Sequence, residues 1–209
     1  MLQARIYQPR REFILDAAVE LAPGDTLPIT GASGAGKSTL LDGIAGIFPF
    51  TSLSQVCWQG QDWRRLPLHR RPFNYMRQNS RLFPHLNVGK NAVFGLPPVR
   101  QRSREDQEWL EELRERLELD AIWTAAADEV SGGQARRVMW ARTLARRLPL
   151  VMLDEPFAEL DSAAAMKLLN DLCIWQQRWG FSLMIVDHDA QRLREFSVQP
   201  RILQAGRWV

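Results

Sequence analysis

A glycine-rich segment near the start of the chain has the residue types that bind phosphate. Residues 31–38 read GASGAGKS and fit the pattern G-x-x-x-x-G-K-[ST]. The glycines let the backbone curl until several N–H groups point at one anion, and a following helix adds its positive end. The predicted phosphate-binding residues are Gly31, Ala32, Ser33, Gly34, Ala35, Gly36, Lys37, Ser38 and Thr39.

Two residues of this loop have predicted roles at a nucleotide. Lys37 is expected to reach the β- and γ-phosphates, and Ser38 to supply a hydroxyl to Mg²⁺. The guanine-binding pattern N-K-x-D is absent from the chain, which favours ATP. Kinases, GTPases, helicases and transporters all use such a loop, so it leaves the function open.

A pair of carboxylates follows a short apolar run later in the chain. Asp154 and Glu155 come directly after residues 150–153. The end of a strand would place Asp154 beside a Mg²⁺ ion held by Ser38, and Glu155 could orient or deprotonate the attacking water. Such a pair is also common where a helix begins. Together with the phosphate loop, the catalytic interpretation is favoured.

Alternating strands and helices are needed to bring these residues together. Apolar runs predict strands at 25–30, 150–153 and 183–186, and helical periodicity predicts helices from Lys37, from Ser103 to about Leu119, after Ser131 and over 162–179. Pro28 fits poorly in a central strand, since it donates no ladder hydrogen bond. The order predicts an α/β fold with a mostly parallel sheet covered on both faces, and ligands bind at the carboxyl edge of such sheets.

The helix after Ser131 carries many arginines. Its inward face is predicted to consist of Val138, Ala141, Leu144 and Ala145. Its outward residues are predicted to be Arg136, Arg137, Arg142, Arg146 and Arg147. This set has two interpretations, a solvated face and a binding stripe, and the solvated face is favoured.

Composition excludes several classes of protein. Lys and Arg number 27 against 24 Asp and Glu, a net charge of +3 that does not by itself indicate nucleic acid. Cys57 and Cys173 lie far apart without metal-type spacing and are expected to be reduced. There is no apolar stretch of membrane-spanning length and no leader pattern at the start, so a cytoplasmic location is expected.

A second glycine-containing helix start lies before the carboxylate pair. Val130 is followed by Ser131, Gly132, Gly133 and Gln134. This segment resembles the signature peptide of the ATP-binding cassette family, usually L-S-G-G-Q, with valine in place of leucine. The resemblance implies a P-loop NTPase core with an N-terminal antiparallel β region and an inserted helical subdomain. It implies one domain over 1–209, with the core at about 1–78 and 148–209 and the helical subdomain at about 79–147.

Other positions resemble further motifs of that family. Gln78 resembles the Q-loop glutamine that approaches Mg²⁺ and water, and Asp161 resembles the aspartate of the D-loop. His188 resembles the switch histidine that contacts the γ-phosphate, although Asp187 stands where serine or threonine is usual. The family also stacks adenine on an aromatic residue, and the sequence leaves Tyr7 and Phe13 as alternatives.

The resemblance implies an ATPase that drives transport. Two copies would pair head to tail, so that ATP lies between the phosphate loop of one copy and residues 131–134 of the other. Without a membrane span, the chain would act on separate permease subunits at the inner face of the membrane, together with a solute-binding protein. Residues 77–96 look most like importers of small solutes such as molybdate or thiamine.

Two alternatives stay open at this point. An exporter or lipoprotein-release cassette would differ only in its membrane partner. A soluble cassette acting on DNA is suggested by a pI of 9.2 and the arginines. DNA-acting relatives generally need a long coiled-coil or zinc insertion, for which there is no space between Gly36 and Asp154, so no nucleic-acid partner is expected.

Overall fold

The computed structural model describes all 209 residues, which form ten β-strands and six α-helices. The strands are β1 (Leu2–Pro9), β2 (Ile14–Leu21), β3 (Thr26–Thr30), β4 (Gln55–Trp58), β5 (Gln61–Asp62), β6 (Phe73–Met76), β7 (Leu150–Asp154), β8 (Ser182–Val186), β9 (Arg201–Gln204) and β10 (Arg207–Trp208). The helices are α1 (Lys37–Ala45), α2 (Val88–Ala92), α3 (Arg104–Arg116), α4 (Gly132–Leu144), α5 (Ser162–Trp179) and α6 (Ala190–Leu193).

The strands form two sheets. A four-stranded antiparallel sheet has the order β2-β1-β4-β5. A six-stranded sheet has the order β10-β9-β3-β8-β7-β6, in which every pair from β9 to β6 is parallel. Every residue of β7 and β8 is buried, as their continuous apolar runs predicted. The phosphate loop, Asp154 and Asp187 follow or end the neighbouring strands β3, β7 and β8, at one edge of this sheet.

Two hydrophobic clusters hold the elements together. One contains β1, β2 and α1, and the other contains the apolar faces of α3, α4 and α5. Tryptophans fill much of the second cluster, where the rings of Trp109 and Trp175 meet edge to face at 5.4 Å. The indole of Trp109 also donates to the Leu144 carbonyl at 2.9 Å. Five of the chain's eight tryptophans are buried, so core packing accounts for most of them.

Pro28 lies in β3, a central strand, despite its missing N–H group. The carbonyls of Asp25 and Ile29 accept from Leu183 and Asp187 in and after β8. Backbone groups alternate in direction along a strand, so Pro28 faces the opposite side, toward β9. Pairing with β9 begins only at Ile29, so no ladder bond is lost at Pro28.

Two predictions about helices were wrong in detail. Helix α3 ends at Arg116 instead of near Leu119, and Glu118 just beyond it has a left-handed φ of 56°. Arg136 does not point outward, because it is only 2% exposed. Helix α4 packs against α2, α3 and β6, so it buries more sides than its apolar residues indicate. No helix of the chain has both the length and the apolarity needed to cross a membrane.

Candidate nucleotide site

The phosphate loop leads directly into α1. Gly36 is the N-cap of α1, with a left-handed φ of 100° and no side-chain cap bond. The first N–H groups of a helix have no partner within it, so those of α1 stay available to an anion. Lys37 is buried, and its Nζ donates to the carbonyls of Gly31 at 2.8 Å and Ala32 at 2.9 Å. The cation is thereby held inside the loop.

The C-terminal hairpin, formed by β9 and β10, supports the loop from behind. Gly31 has a φ of 148°, and any side chain there would collide with the Leu203 carbonyl of β9. The N–H of Gly206 donates to the Ala35 carbonyl at 3.0 Å, and its carbonyl accepts from Asp16 of β2 at 2.9 Å. The hairpin therefore ties the phosphate loop to β2.

Asp154 ends β7 as a buried carboxyl group with spare capacity. It is 2% exposed, and its Oδ1 has no hydrogen-bond partner. Burial raises the pKa of Asp154, an effect opposed by the Ser38 side chain and reinforced by the charges of Glu155 and Asp42. An orphaned buried oxygen beside a hydroxyl fits a divalent cation that takes oxygen ligands. The residues present therefore suit Mg²⁺.

Glu155 has an unusual backbone conformation that aims its side chain into the site. Its φ is 48°, and its N–H donates to the Val186 carbonyl at 2.9 Å. Its Oε2 accepts from Gln78 Nε2 at 2.9 Å. Two predicted site residues, distant in sequence, are thus in direct contact.

A hydrogen-bond network fixes the strand that leads to Gln78. The Tyr75 hydroxyl donates to Asp42 of α1 at 2.9 Å, and Arg77 makes two further bonds to the same carboxylate, at 2.9 and 2.8 Å. Burial, together with the charges of Asp154 and Asp42, raises the pKa of Tyr75 well above its ordinary range. The network anchors the end of β6 to the phosphate helix, and sequence reasoning missed it.

A cleft of about 340 Å³ collects most of these groups. It is lined by Arg10, Arg11, Glu12, Phe13, Ser33, Gly34, Ala35, Gly36, Lys37, Ser38, Thr39, Gln78 and Glu155. Phe13 packs so closely on Gly36 that an added Cβ there would lie 2.9 Å from the ring. Tyr7 is not among the lining residues, so of the two candidate aromatic residues only Phe13 borders the cleft.

The signature segment lies apart from this cleft. Ser131 caps α4, accepting from the Gln134 N–H at 3.3 Å, while Gln134 Oε1 accepts from the Ser131 N–H at 2.9 Å. Gly132 and Gly133 pack against Glu159, in the turn that follows β7. None of the four signature residues lines the cleft of its own chain.

Two further predicted residues also lie outside the cleft lining. Asp161 is the N-cap of α5, and its Oδ1 accepts from the Ala164 N–H at 2.8 Å. The side chain of His188 is 72% exposed, and its Nδ1 lies 3.5 Å from Asp187. Asp187 is buried and accepts from Arg192 at 2.9 Å, which anchors the end of β8. The roles predicted for Asp161 and His188 at the nucleotide stay predictions.

Sequence reasoning also missed Asn91. It is fully buried, and its amide makes bonds to Phe83, Leu86 and Asn87 that hold the segment following Gln78. That segment has weak periodicity, because side-chain-to-backbone bonds organise it in place of regular structure. The sequence shows only an asparagine in a segment with aromatic and proline residues, and its burial is visible only in the structure.

Comparison with solved structures shows the fold. The fold resembles two solved ATP-binding cassettes with a TM-score of 0.81 to each. One, nucleotide-free, is 22% identical, with 100% of this chain and 89% of that chain covered. The other, a dimeric post-hydrolysis state bound to ADP and Pi, is 24% identical, with 100% and 96% covered. These likenesses confirm the predicted fold class, an α/β P-loop NTPase.

Sequence comparison is more specific. The ABC transporter family matches residues 14–158. A thiamine import ATP-binding protein of Ruegeria sp. is 36% identical over 93% of this chain and 84% of its own length. A molybdate/tungstate import ATP-binding protein of Pyrococcus horikoshii is 34% identical over 95% of this chain and 58% of its own. The chain therefore belongs to the ABC transporter family, as the signature segment predicted.

Proposed function

We propose that this protein is the ATP-hydrolysing subunit of a small-solute importer. Two copies would bind ATP between them and drive a separate membrane permease served by a solute-binding protein. The observation that carries this proposal is the division of the site: Lys37 and Glu155 border the cleft, whereas Ser131 lies outside it. A second copy, turned head to tail, supplies the missing half.

Four side chains of the cleft have tasks in nucleotide binding and hydrolysis. Lys37 and the free N–H groups of α1 bind the phosphates, and the Phe13 ring offers a surface on which adenine stacks. Glu155 accepts a proton from the attacking water, which Gln78 helps to orient. Donors fixed before the reaction stabilise the charge that develops on the γ-phosphate.

A magnesium ion fits this site through Asp154, Ser38 and Gln78. When bound, it neutralises phosphate charge. Burial of the Asp154 carboxylate costs desolvation free energy, and the raised pKa of Asp154 reflects this cost.

ATP acts as the link between the two copies. Its γ-phosphate contacts Lys37 of one copy and the α4 N-terminus of the other, and the second set of contacts weakens when the phosphate leaves. ATP therefore favours the closed pair and ADP the open one. The energy of this difference moves the permease at the inner face of the membrane.

The permease is proposed to contact the segment that follows Gln78. Phe94 is 58% exposed, and its ring lies 4.4 Å from that of Phe83. A groove of about 470 Å³ beside them is lined by residues 78–82 and by Met139 of α4. The exposed Phe94 ring and a groove of mixed polar and apolar lining next to Gln78 suit a partner that must respond to ATP.

The structure removes one reason for the DNA-acting alternative. The arginines of α4 and just after it do not form a free stripe. Arg137 bonds to Glu118, Arg147 bonds to Asp106 at 2.8 Å, and Arg142 donates to the Arg81 carbonyl at 2.8 Å. Arg137 and Arg147 are thus paired with carboxylates, and Arg142 is held by a backbone carbonyl.

Substitution of Glu155 tests the proposal. Glu155→Gln keeps the shape of the side chain and removes the proton acceptor, so ATP binding should persist while turnover falls roughly 100-fold or more. Light scattering with ATP should show the variant as a pair and, with ADP, as single copies. Hydrolysis at the wild-type rate by the variant, or single copies with saturating ATP, would contradict the proposal.

A further inference from the structure

A buried guanidinium lies behind the catalytic carboxylates without pairing to them. Arg136 is 2% exposed and forms no salt bridge with any carboxylate of the chain. Burial lowers the pKa of Arg136, and the charges of Glu159, Glu155 and Asp154 oppose that effect. A buried, unpaired charge is costly to a fold, so stability alone does not explain this residue.

The side chain of Arg136 instead holds a backbone turn. Its Nε donates to the Ala158 carbonyl at 3.1 Å, and one turn further along α4 the Trp140 indole donates to the Pro156 carbonyl at 2.9 Å. Residues four apart lie on the same face of a helix. Arg136 and Trp140 are here called the α4 donor pair. They donate to two alternate carbonyls of the turn over residues 155–160.

That turn depends on donors from outside itself. Glu155 and Glu159 both have left-handed backbones, with φ of 48° and 67°, which is unfavourable for residues with a side chain. Its internal bonds are long: Ala158 N–H to the Glu155 carbonyl at 3.3 Å, and Leu160 N–H to the Phe157 carbonyl at 3.2 Å. The α4 donor pair therefore helps to over-determine a strained conformation.

We infer that Arg136 is a positioning residue for ATP hydrolysis. It attaches the turn that orients Glu155 to α4, the helix that begins at Ser131. The inference rests on the proposed function, in which Ser131 serves the nucleotide bound by the partner. When that nucleotide contacts α4, a displacement of α4 is transmitted through Arg136 to the turn that holds Glu155. Glu155 acts on the other nucleotide. The two ATP sites become coupled within each chain.

Replacing Arg136 with methionine separates positioning from structural support. Arg136→Met removes the charge and the donor but keeps an unbranched chain in the core. Small displacements of catalytic groups cost up to about 100-fold, so kcat should fall roughly 10- to 100-fold. Affinity for a fluorescent ATP analogue should stay within about twofold. The melting temperature should not fall, because apolar replacement of a buried charge is often neutral or stabilising.

Companion variants show which property of Arg136 matters. Arg136→Gln keeps a donor and should retain more kcat than Arg136→Met. Trp140→Phe removes the second donor together with some buried ring volume, and its effect on kcat should be non-additive with that of Arg136→Met. Arg137→Met is the matched control, since Arg137 is the next residue of α4 but bonds outward to Glu118. Its kcat should stay within about twofold of the wild type.

The outcomes distinguish this inference from the proposed function. If the wild type hydrolyses ATP, Glu155→Gln does not, and Arg136→Met keeps kcat within about twofold, the inference is overturned and the function stands. If Arg136→Met is unstable, the same measurements on Arg136→Leu, which also lacks the donor, decide, and an unchanged kcat again overturns it. A wild type that does not hydrolyse ATP under any condition overturns the function itself.

Discussion

Two helix N-termini in this chain, those of α1 and α4, are both expected to meet phosphate, yet they are built differently. Helix α1 starts after Gly36 with no side-chain cap bond, whereas α4 starts with Ser131 and Gln134 capping each other. The first leaves its donors unsatisfied and therefore favours a ligand. The second has the N–H groups of Ser131 and Gln134 satisfied within its own chain, so its start is stabilised without a ligand.

The largest effect should come from the uncapped helix. Lys37→Ala removes the cation that the loop holds between the Gly31 and Ala32 carbonyls. Loss of a charged phosphate contact should lower kcat/KM roughly 1000-fold and weaken ATP binding by the single chain. Equilibrium dialysis and a phosphate-release assay measure the two effects. Unaltered ATP binding would show that α1 is not the phosphate site.

The capped helix should behave in the opposite way. Ser131→Ala should leave ATP binding by the single chain unchanged, since Ser131 lies outside the cleft. Pairing driven by ATP should weaken, and hydrolysis should fall roughly 100-fold. Sedimentation of the Glu155→Gln protein with and without Ser131→Ala tests this. A weaker affinity of the single chain for ATP would break the contrast between the two helices.

Loss of the proposed contact with the adenine base should have a smaller effect on ATP binding. Phe13→Ala removes the ring that borders the cleft, and stacking of about 1–3 kcal/mol per base predicts roughly tenfold weaker ATP binding. Tyr7→Ala is the matched control, because Tyr7 lies outside the cleft and should leave affinity unchanged. Titration with ATP and with inorganic triphosphate separates the base from the phosphates. Equal losses for both ligands would assign Phe13 to loop support.

The smallest effect should come from a third helix start, which has a cap but no predicted ligand. Ser103 and Asp106 form a capping box on α3 with the geometry of that on α4. Ser103→Ala should cost about 1 kcal/mol in free energy of unfolding and leave hydrolysis unchanged. Denaturation curves and the ATPase assay, run beside Ser131→Ala, show how much of the Ser131 effect is structural.

The stabilisation that the Asp106 carboxylate gives to the start of α3 should depend on pH. Bonds from Arg147 and Ser103 hold the pKa of Asp106 below its ordinary value of 3.8. A carboxyl group with a lowered pKa stabilises the fold above its ordinary pKa, and this is lost as pH falls through the lowered value. The wild type and Asp106→Asn, which cannot ionise at this position, should therefore converge in stability as pH falls through the lowered pKa of Asp106. A constant difference between pH 7 and pH 2 would count against this account.

Local chemistry made much of the molecule predictable. The capping boxes at Ser103 and Ser131 begin helices, and the apolar runs ending at Leu153 and Val186 lie in buried parallel strands, because these signals depend on neighbouring residues alone. The place of Gln78 in the site was implied only through family resemblance, and its contact with Glu155 was not predicted. The phosphate loop carried its own pattern in the sequence.

Other features depend on packing that no local pattern contains. Arg136 was predicted to face solvent because a charge on an amphipathic helix usually does, but α4 is enclosed on several sides. The choice between Tyr7 and Phe13 depended on which side of the β1–β2 turn borders the cleft. Pro28 was tolerated because of where β9 begins to pair. Each of these depends on neighbours far away in sequence.

The C-terminal hairpin gives the protein a particular order of assembly. Gly206 bonds to the phosphate loop, and β9 completes the sheet beside β3, although both are synthesised long after that loop. During synthesis, the phosphate loop therefore lacks these contacts until residues 201–206 have left the ribosome. Chains that stop before residue 201 would also lack the contacts that hold the phosphate loop to β2.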